Sequence, residues 1–213
     1  MKIKLLAATA AGGALLLSAV ALGGTAEASG YGSGHSHDNK VSGQLNPLNN
    51  SGVTGHAHVK VEGKKLDVHY KAKGLVPNLP HAAHIHYGEQ ATHECPTVRD
   101  DTNRDFRLNV VEGVPRYGPI AVSLTTSGDT SPASGLAVDR FSTAPKGVID
   151  YDRTVKTSKA VARAIRNGEG VLVVHGVDYN NNGTYDFDGA GASELDAKLP
   201  AEATDPAACG VLR

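Results

Sequence analysis

The residues best suited to chemistry lie in one short stretch, Pro80-His81-Ala82-Ala83-His84-Ile85-His86. Side chains alternate between the two faces of a β-strand. A strand here puts His84 and His86 on one face and Ala83 and Ile85 on the other. Two imidazoles at i and i+2 form a compact nitrogen pair of the kind that copper and zinc favour. The same spacing also occurs on polar strand faces that hold no metal, so the pair alone leaves both readings open.

Other residues narrow the choice. Cys95 follows His86 by nine positions, Val171-Leu172-Val173-Val174-His175-Gly176 is an apolar run ending in a histidine, and the chain closes with Ala207-Ala208-Cys209-Gly210-Val211. In this order and spacing the pieces resemble the copper/zinc superoxide dismutases, from about Val41 to the C-terminus. Pro80–His86 is similar to that family's Leu-His-Gly-Phe-His-Val-His. Ile165-Arg166-Asn167-Gly168 with the Val-x-Val-His that follows also resembles the CHRD domain, a relative of that fold. The resemblance implies an all-β Greek-key barrel or sandwich with a copper site on its outer surface, roofed by long loops. It implies copper ligation by His84, His86 and His175, a structural role for His81, and superoxide as substrate.

The chain also departs from the family. Where the metal-bridging histidine is expected, six residues after Cys95, stands Asp101, and no histidine occurs between His93 and His175. A zinc site of the family type is therefore not expected. Pro206 occupies the place of the family's guiding arginine, three residues before the last cysteine. Without these residues, dismutation near the diffusional ceiling is not expected.

Two loops carry oxygen-bearing side chains instead. Asp101, Asn103, Asp105, Asn109 and Glu112 stand at positions 1, 3, 5, 9 and 12 of a pattern that resembles an EF-hand calcium loop, with Phe106 where glycine is usual. Asp178, Asn180, Asn182 and Asp186 repeat the alternation with Gly183 at the sixth position but without the closing Glu. Each is read as a calcium loop or as a solvated acidic or Asn/Gly turn.

The elements that position these residues read as strands and turns. Lys2 and Lys4, the apolar run Leu5–Leu22 and Ala26-Glu27-Ala28 form a secretory signal over residues 1–28, cleaved after Ala28. Residues 29–40 are Gly/Ser-rich and form a polar, disordered arm carrying His35 and His37. The domain spans 41–213. Strands are expected at Val41–Leu48, Val53–Glu62, Lys65–Lys71, Tyr117–Thr126, Leu136–Ser142, Gly147–Lys156 and Val171–Gly176, with one short helix, Lys159–Arg166. Two cysteines in an exported chain suggest one disulfide, Cys95–Cys209, which the resemblance also implies. A net charge of −1 gives no support for a nucleic-acid partner, and no membrane partner is expected after signal cleavage. The oligomeric state is not legible.

Glu62-Gly63-Lys64-Lys65 reads as a hairpin with Gly63-Lys64 in a type II′ turn. That register sets Glu62 opposite Lys65, Lys60 opposite Asp67 and His58 opposite His69, with His56 diagonal to His69. A patch of His56, His58 and His69 follows. It is either polar surface or a weaker metal site. The functional expectation is an exported copper-binding, superoxide dismutase-like protein with weak or lost dismutation. The alternative is a non-enzymatic copper-holding or calcium-stiffened CHRD-like β-domain.

Overall fold

The structure, a computed structural model, describes residues 39–213. The expected signal over residues 1–28 and the expected arm with His35 and His37 lie outside the described residues, apart from Asn39 and Lys40. Ten strands follow in chain order: β1 Lys40–Pro47, β2 Thr54–Glu62, β3 Lys65–Lys73, β4 Pro80–His81, β5 Ala83–His86, β6 Ile120–Ser123, β7 Ser142–Thr143, β8 Val148–Lys156, β9 Gly170–His175 and β10 Pro206–Leu212. Eight of them make one curled antiparallel sheet in the order β6-β5-β9-β10-β1-β2-β3-β8, while β4 pairs with β7. The chain crosses from one half of the sheet to the other between β3 and β5 and returns between β6 and β8, a Greek-key arrangement. The fold is all-β, of the barrel or sandwich type.

The alternation in sequence explains the core. Ala57, Val59 and Val61 of β2 and Leu66, Val68 and Tyr70 of β3 are buried together with Ile85, Leu172 and Val174. Their intervening neighbours on β2 and β3 face outward, as expected of a half-buried hairpin. The hairpin register is the expected one, with His58 opposite His69, Lys60 opposite Asp67 and Glu62 opposite Lys65. Gly63 takes the positive φ, +62°, that its turn requires.

Strand β9 is buried throughout. Its other face, Val171 and Val173, packs with Tyr117 and Cys209 in a second apolar cluster. A strand buried on both faces reads as an unbroken apolar run, which is the pattern of Val171–Val174. Cys95 and Cys209 form a disulfide with their Cα atoms 5.8 Å apart and a sequence separation of 114. A loop of that size corresponds to about 4–5 kcal/mol in the chain-entropy model. It pins the segment after β5 onto β10.

The helix at Lys159–Arg166 (α2) forms as expected, with the Ser158 hydroxyl accepting from the Val161 N–H. Two further short helices precede and follow it: α1, Val110–Tyr117, and α3, Ala201–Thr204. Tyr117, expected to open a strand, ends α1, and the strand begins only at Ile120. The cause is a capping box: Asn109 Oδ1 accepts from the Glu112 N–H, and Glu112 Oε2 accepts from the Asn109 N–H. The expected strand Leu136–Ser142 is instead a 3₁₀ turn, Val138–Arg140, leading into β7. Its apolar spacing covers a cavity rather than facing a sheet. No helix among the described residues is long and apolar enough to cross a membrane.

Candidate metal centre

Strand β5 lies between β6 and β9, with His84 opposite Val173 and His86 opposite Val171. Ala83 and Ile85 point into the main core, so His84 and His86 project from the other face. His175 extends the same face of β9, two residues beyond Val173. One nitrogen from each of His84, His86 and His175 lies within 4.8 Å of the other two, the only such group of His, Cys, Asp and Glu side chains found among the described residues. All three rings are buried.

Hydrogen bonds fix which nitrogen each ring offers. His84 Nε2 lies 3.1 Å from the Gly135 carbonyl, His86 Nδ1 2.8 Å from that of Gly118, and His175 Nδ1 2.6 Å from that of Thr204. A carbonyl only accepts, so each of these nitrogens carries the proton and donates. The remaining atoms, His84 Nδ1, His86 Nε2 and His175 Nε2, are buried and have no hydrogen-bond partner. Three lone pairs thus converge with nothing to receive them, at a desolvation cost that native structures rarely leave uncompensated. Burial lowers the affinity of these rings for a second proton, and their mutual proximity adds to the effect at His84 and His86. His86 falls to about 3, His175 to about 4, and His84 well below 6.5. The rings are therefore neutral at physiological pH, the form in which imidazole binds metals.

The supporting shell comes from several elements. Gly118 adopts φ +88° to end α1, and its carbonyl orients His86. His81 is buried beneath the site, with Nδ1 2.8 Å from the carbonyl of His175 and Nε2 3.1 Å from that of Val76. It is not one of the three converging rings. Gly176 takes φ +108°, and a Cβ there would lie 2.1 Å from Tyr185 Oη and 2.7 Å from His81 Nδ1. The chain can leave β9 at this point only through glycine.

Above the three nitrogens lies a cavity of about 50 Å³, bordered by Val110, Ile120, Leu136, Val138, Phe141 and Leu199 among others. No Asp, Glu, Lys or Arg side chain of the described residues lines it. The Phe141 ring meets His84 edge-on at 5.3 Å, and Tyr117 packs on His86 at 4.5 Å. The space admits an ion with one or two water-sized molecules. A larger cleft, about 760 Å³, lies between β6 and β8 and includes none of the three histidines.

The other candidate residues lie elsewhere. In the first oxygen-rich loop, Asp101 accepts from the Arg104 and Phe106 N–H groups, Asn103 from Asp105 N–H and Asp105 from Arg107 N–H. Glu112 Oε1 accepts from the Thr102 N–H and hydroxyl. Phe106 adopts φ +65°, the conformation that glycine supplies in such loops. In the second loop Asp178 accepts from the Asn182 and Gly183 N–H groups, while the Asn180 and Asn182 amides both face Asp186. Arg107, whose backbone belongs to the first loop, bonds Asp205 at 2.8 Å and Glu194 at 2.7 Å. Tyr179 Oη donates to the same Asp205 oxygen, which joins the two loops to the start of β10. Pro206 pairs in register with His175.

The carbonyls of Gly118, Gly135 and Thr204 have no side-chain signature, so the sequence does not announce them. The apolar cover is not among the sequence expectations either. Leu136, Val138 and Phe141 in an otherwise turn-rich segment were the available signal. No protein-family model matches the chain, and no curated protein matches it.

Proposed function

We propose that the protein is an exported copper-holding protein of the superoxide dismutase-like or CHRD-like kind, with His84 Nδ1, His86 Nε2 and His175 Nε2 as ligands. The observation that carries this reading is the set of three converging, unpartnered, neutral imidazole nitrogens, each oriented by a backbone carbonyl. An all-nitrogen set suits copper, zinc, iron and nickel, and copper heads the affinity order for divalent ions. Three imidazoles in an apolar cavity also suit Cu(I), because no carboxylate is present to compensate a second charge. The disulfide fits an oxidising compartment outside the cytosol.

Copper bound here would supply one-electron redox chemistry. The protein's own residues set apolar Leu136, Val138 and Phe141 beside the site and hold the rings in a single tautomer. They provide no cationic side chain in the cavity to draw in an anion, and Arg107 is committed to Asp205 and Glu194. Copper retention is therefore the primary activity and superoxide dismutation a slow one. Copper loading followed by metal analysis and EPR tests this. One copper per chain is expected, lost in His84→Ala and His175→Ala. Equal retention in both variants would overturn the assignment, and a superoxide assay at family-like rates would overturn the ranking of activities.

The two oxygen-rich loops support an added structural role for calcium. In each, the first Asp accepts the N–H five residues on, Phe106 at 2.9 Å and Gly183 at 2.7 Å, so the loop already curls around its oxygens. Millimolar calcium is expected to raise the thermal midpoint by mass action, and Asp101→Ala with Asp178→Ala to remove the gain. An unchanged midpoint in the unmutated protein would reduce both loops to solvated turns.

A further inference from the structure

Three histidines outside the buried centre share the outward face of the β2–β3 hairpin. His58 stands directly opposite His69, and the ring of His56 lies 5.5 Å from that of His58 and 6.3 Å from that of His69. Strand β8 adds carboxylates that the hairpin alone does not reveal. Asp152 is opposite His69 in register, with Oδ2 3.6 Å from His69 Nδ1, and Asp150 Oδ1 lies 3.8 Å from His69 Nε2. Lys71, opposite His56, is held by Asp150 at 3.0 Å. In the sheet order, β10 and β1 separate this face from β9 and the buried centre.

We propose that this face binds one divalent transition-metal ion of the imidazole-seeking class, Zn²⁺ or Cu²⁺. His58 and His69 are the primary ligands, His56 completes the imidazole set, and Asp150 and Asp152 supply compensating charge. Strand pairing holds the Cβ atoms of opposed residues about 4.5–5.5 Å apart. Two imidazoles therefore reach one ion by side-chain rotation alone, with the backbone already ordered by three adjacent strands. The His69 side chain is 39% exposed, and His56 and His58 are exposed, so these rotations meet no packed wall. The site differs in kind from the buried one. It is wet and flanked by carboxylates, so it accepts a dication without the desolvation that an apolar cavity imposes. It also lets the ion exchange freely with solvent. It neither uses nor requires the buried ligands.

The test is zinc chloride titrated into the full chain with ¹⁵N-labelled histidine side chains, followed by NMR. The resonances of His56, His58 and His69 are expected to move together and saturate with one ion. The joint response should persist in His175→Ala and disappear in His58→Ala. His69→Asn is a second variant on the same exposed face and should lose the response as well. Copper(II) calorimetry on His175→Ala should then show a binding event that the His58→Ala/His175→Ala double variant lacks, which separates this site from the buried one. Independent movement of the three resonances, or unchanged zinc response in His58→Ala, overturns the proposal.

Discussion

His84 turns its Nε2 to the carbonyl of Gly135, 3.1 Å away, and by doing so commits its Nδ1 to the buried centre. The bond ties a strand of the sheet to a loop fifty-one residues further along the chain. That loop also carries Leu136, Val138 and Phe141, which border the cavity over the three nitrogens. Ring orientation and the apolar border of the cavity therefore depend on the same segment. A change that loosens the cover also loosens the ligand.

Phe141→Ala is the direct test of that coupling. Phe141 is buried against the edge of His84, and truncating a buried Phe typically costs about 3–5 kcal/mol. The variant should unfold at lower denaturant and release copper to a chelator faster than the unmutated protein. Phe141→Leu should restore most of the stability and slow the release. Unchanged release from a destabilised Phe141→Ala would show that the cover does not gate the site.

Gly176→Ala should be among the most damaging small substitutions. Its φ of +108° and the 2.1 Å approach of the added Cβ to Tyr185 Oη leave no strain-free placement. Because the same Cβ crowds His81 Nδ1, which bonds the His175 carbonyl, the loss should appear in metal affinity as well as stability. Copper titration and thermal melts of Gly176→Ala with and without Tyr185→Phe check this. Removing the hydroxyl should recover part of the loss.

Much of this arrangement was legible in residue order. Alternation placed Ala83 and Ile85 in the core and His84 and His86 on the opposite face, and Gly63-Lys64 set the β2–β3 register. The Asn109-x-x-Glu112 capping box was also present in the sequence, but the same residues matched an oxygen-ligand pattern, and α1 was overlooked. Leu136–Ser142 failed for a different reason. Leu136 and Val138 alternate as in a strand, yet together with the out-of-phase Phe141 they face a cavity that exists only once β5 and β9 are side by side. The carboxylates of β8 beside His69 depend on pairing between strands distant in sequence, His69 with Asp152, which local pattern does not encode.

Arg107→Ala should destabilise the protein well beyond an ordinary surface change. Asp205 is fully buried and receives Arg107 Nη1 at 2.8 Å and Tyr179 Oη at 2.9 Å. Removing one partner of a buried pair typically costs about 3–5 kcal/mol, because the other charge is left uncompensated. Asp205→Asn combined with Arg107→Ala should recover part of the loss. Denaturant melts of the single and double variants measure it, and a change under a tenth of the unmutated stability would show that the pair is solvated.

The first oxygen-rich loop makes a prediction in pH. Burial would raise the Glu112 carboxyl, but N–H bonds from Thr102, Asn109 and Asn103 and the Thr102 hydroxyl outweigh it, and the group lies below 4.5. An acid whose folded value is depressed contributes stability that is present in full above its unfolded value and lost as pH falls through the folded one. Glu112→Gln keeps an acceptor but removes the charge, which should cost about 1–3 kcal/mol at neutral pH on the scale of hydrogen bonds to charged groups. The gap between the two proteins should be constant above pH 4.5 and shrink below it. Taking the difference cancels the titration of the other carboxylates. Denaturant melts of both proteins from pH 7 downward give the gap directly. A gap that widens on acidification would mean that Glu112 is held protonated in the fold, which would remove it as a cap and as a cation ligand alike.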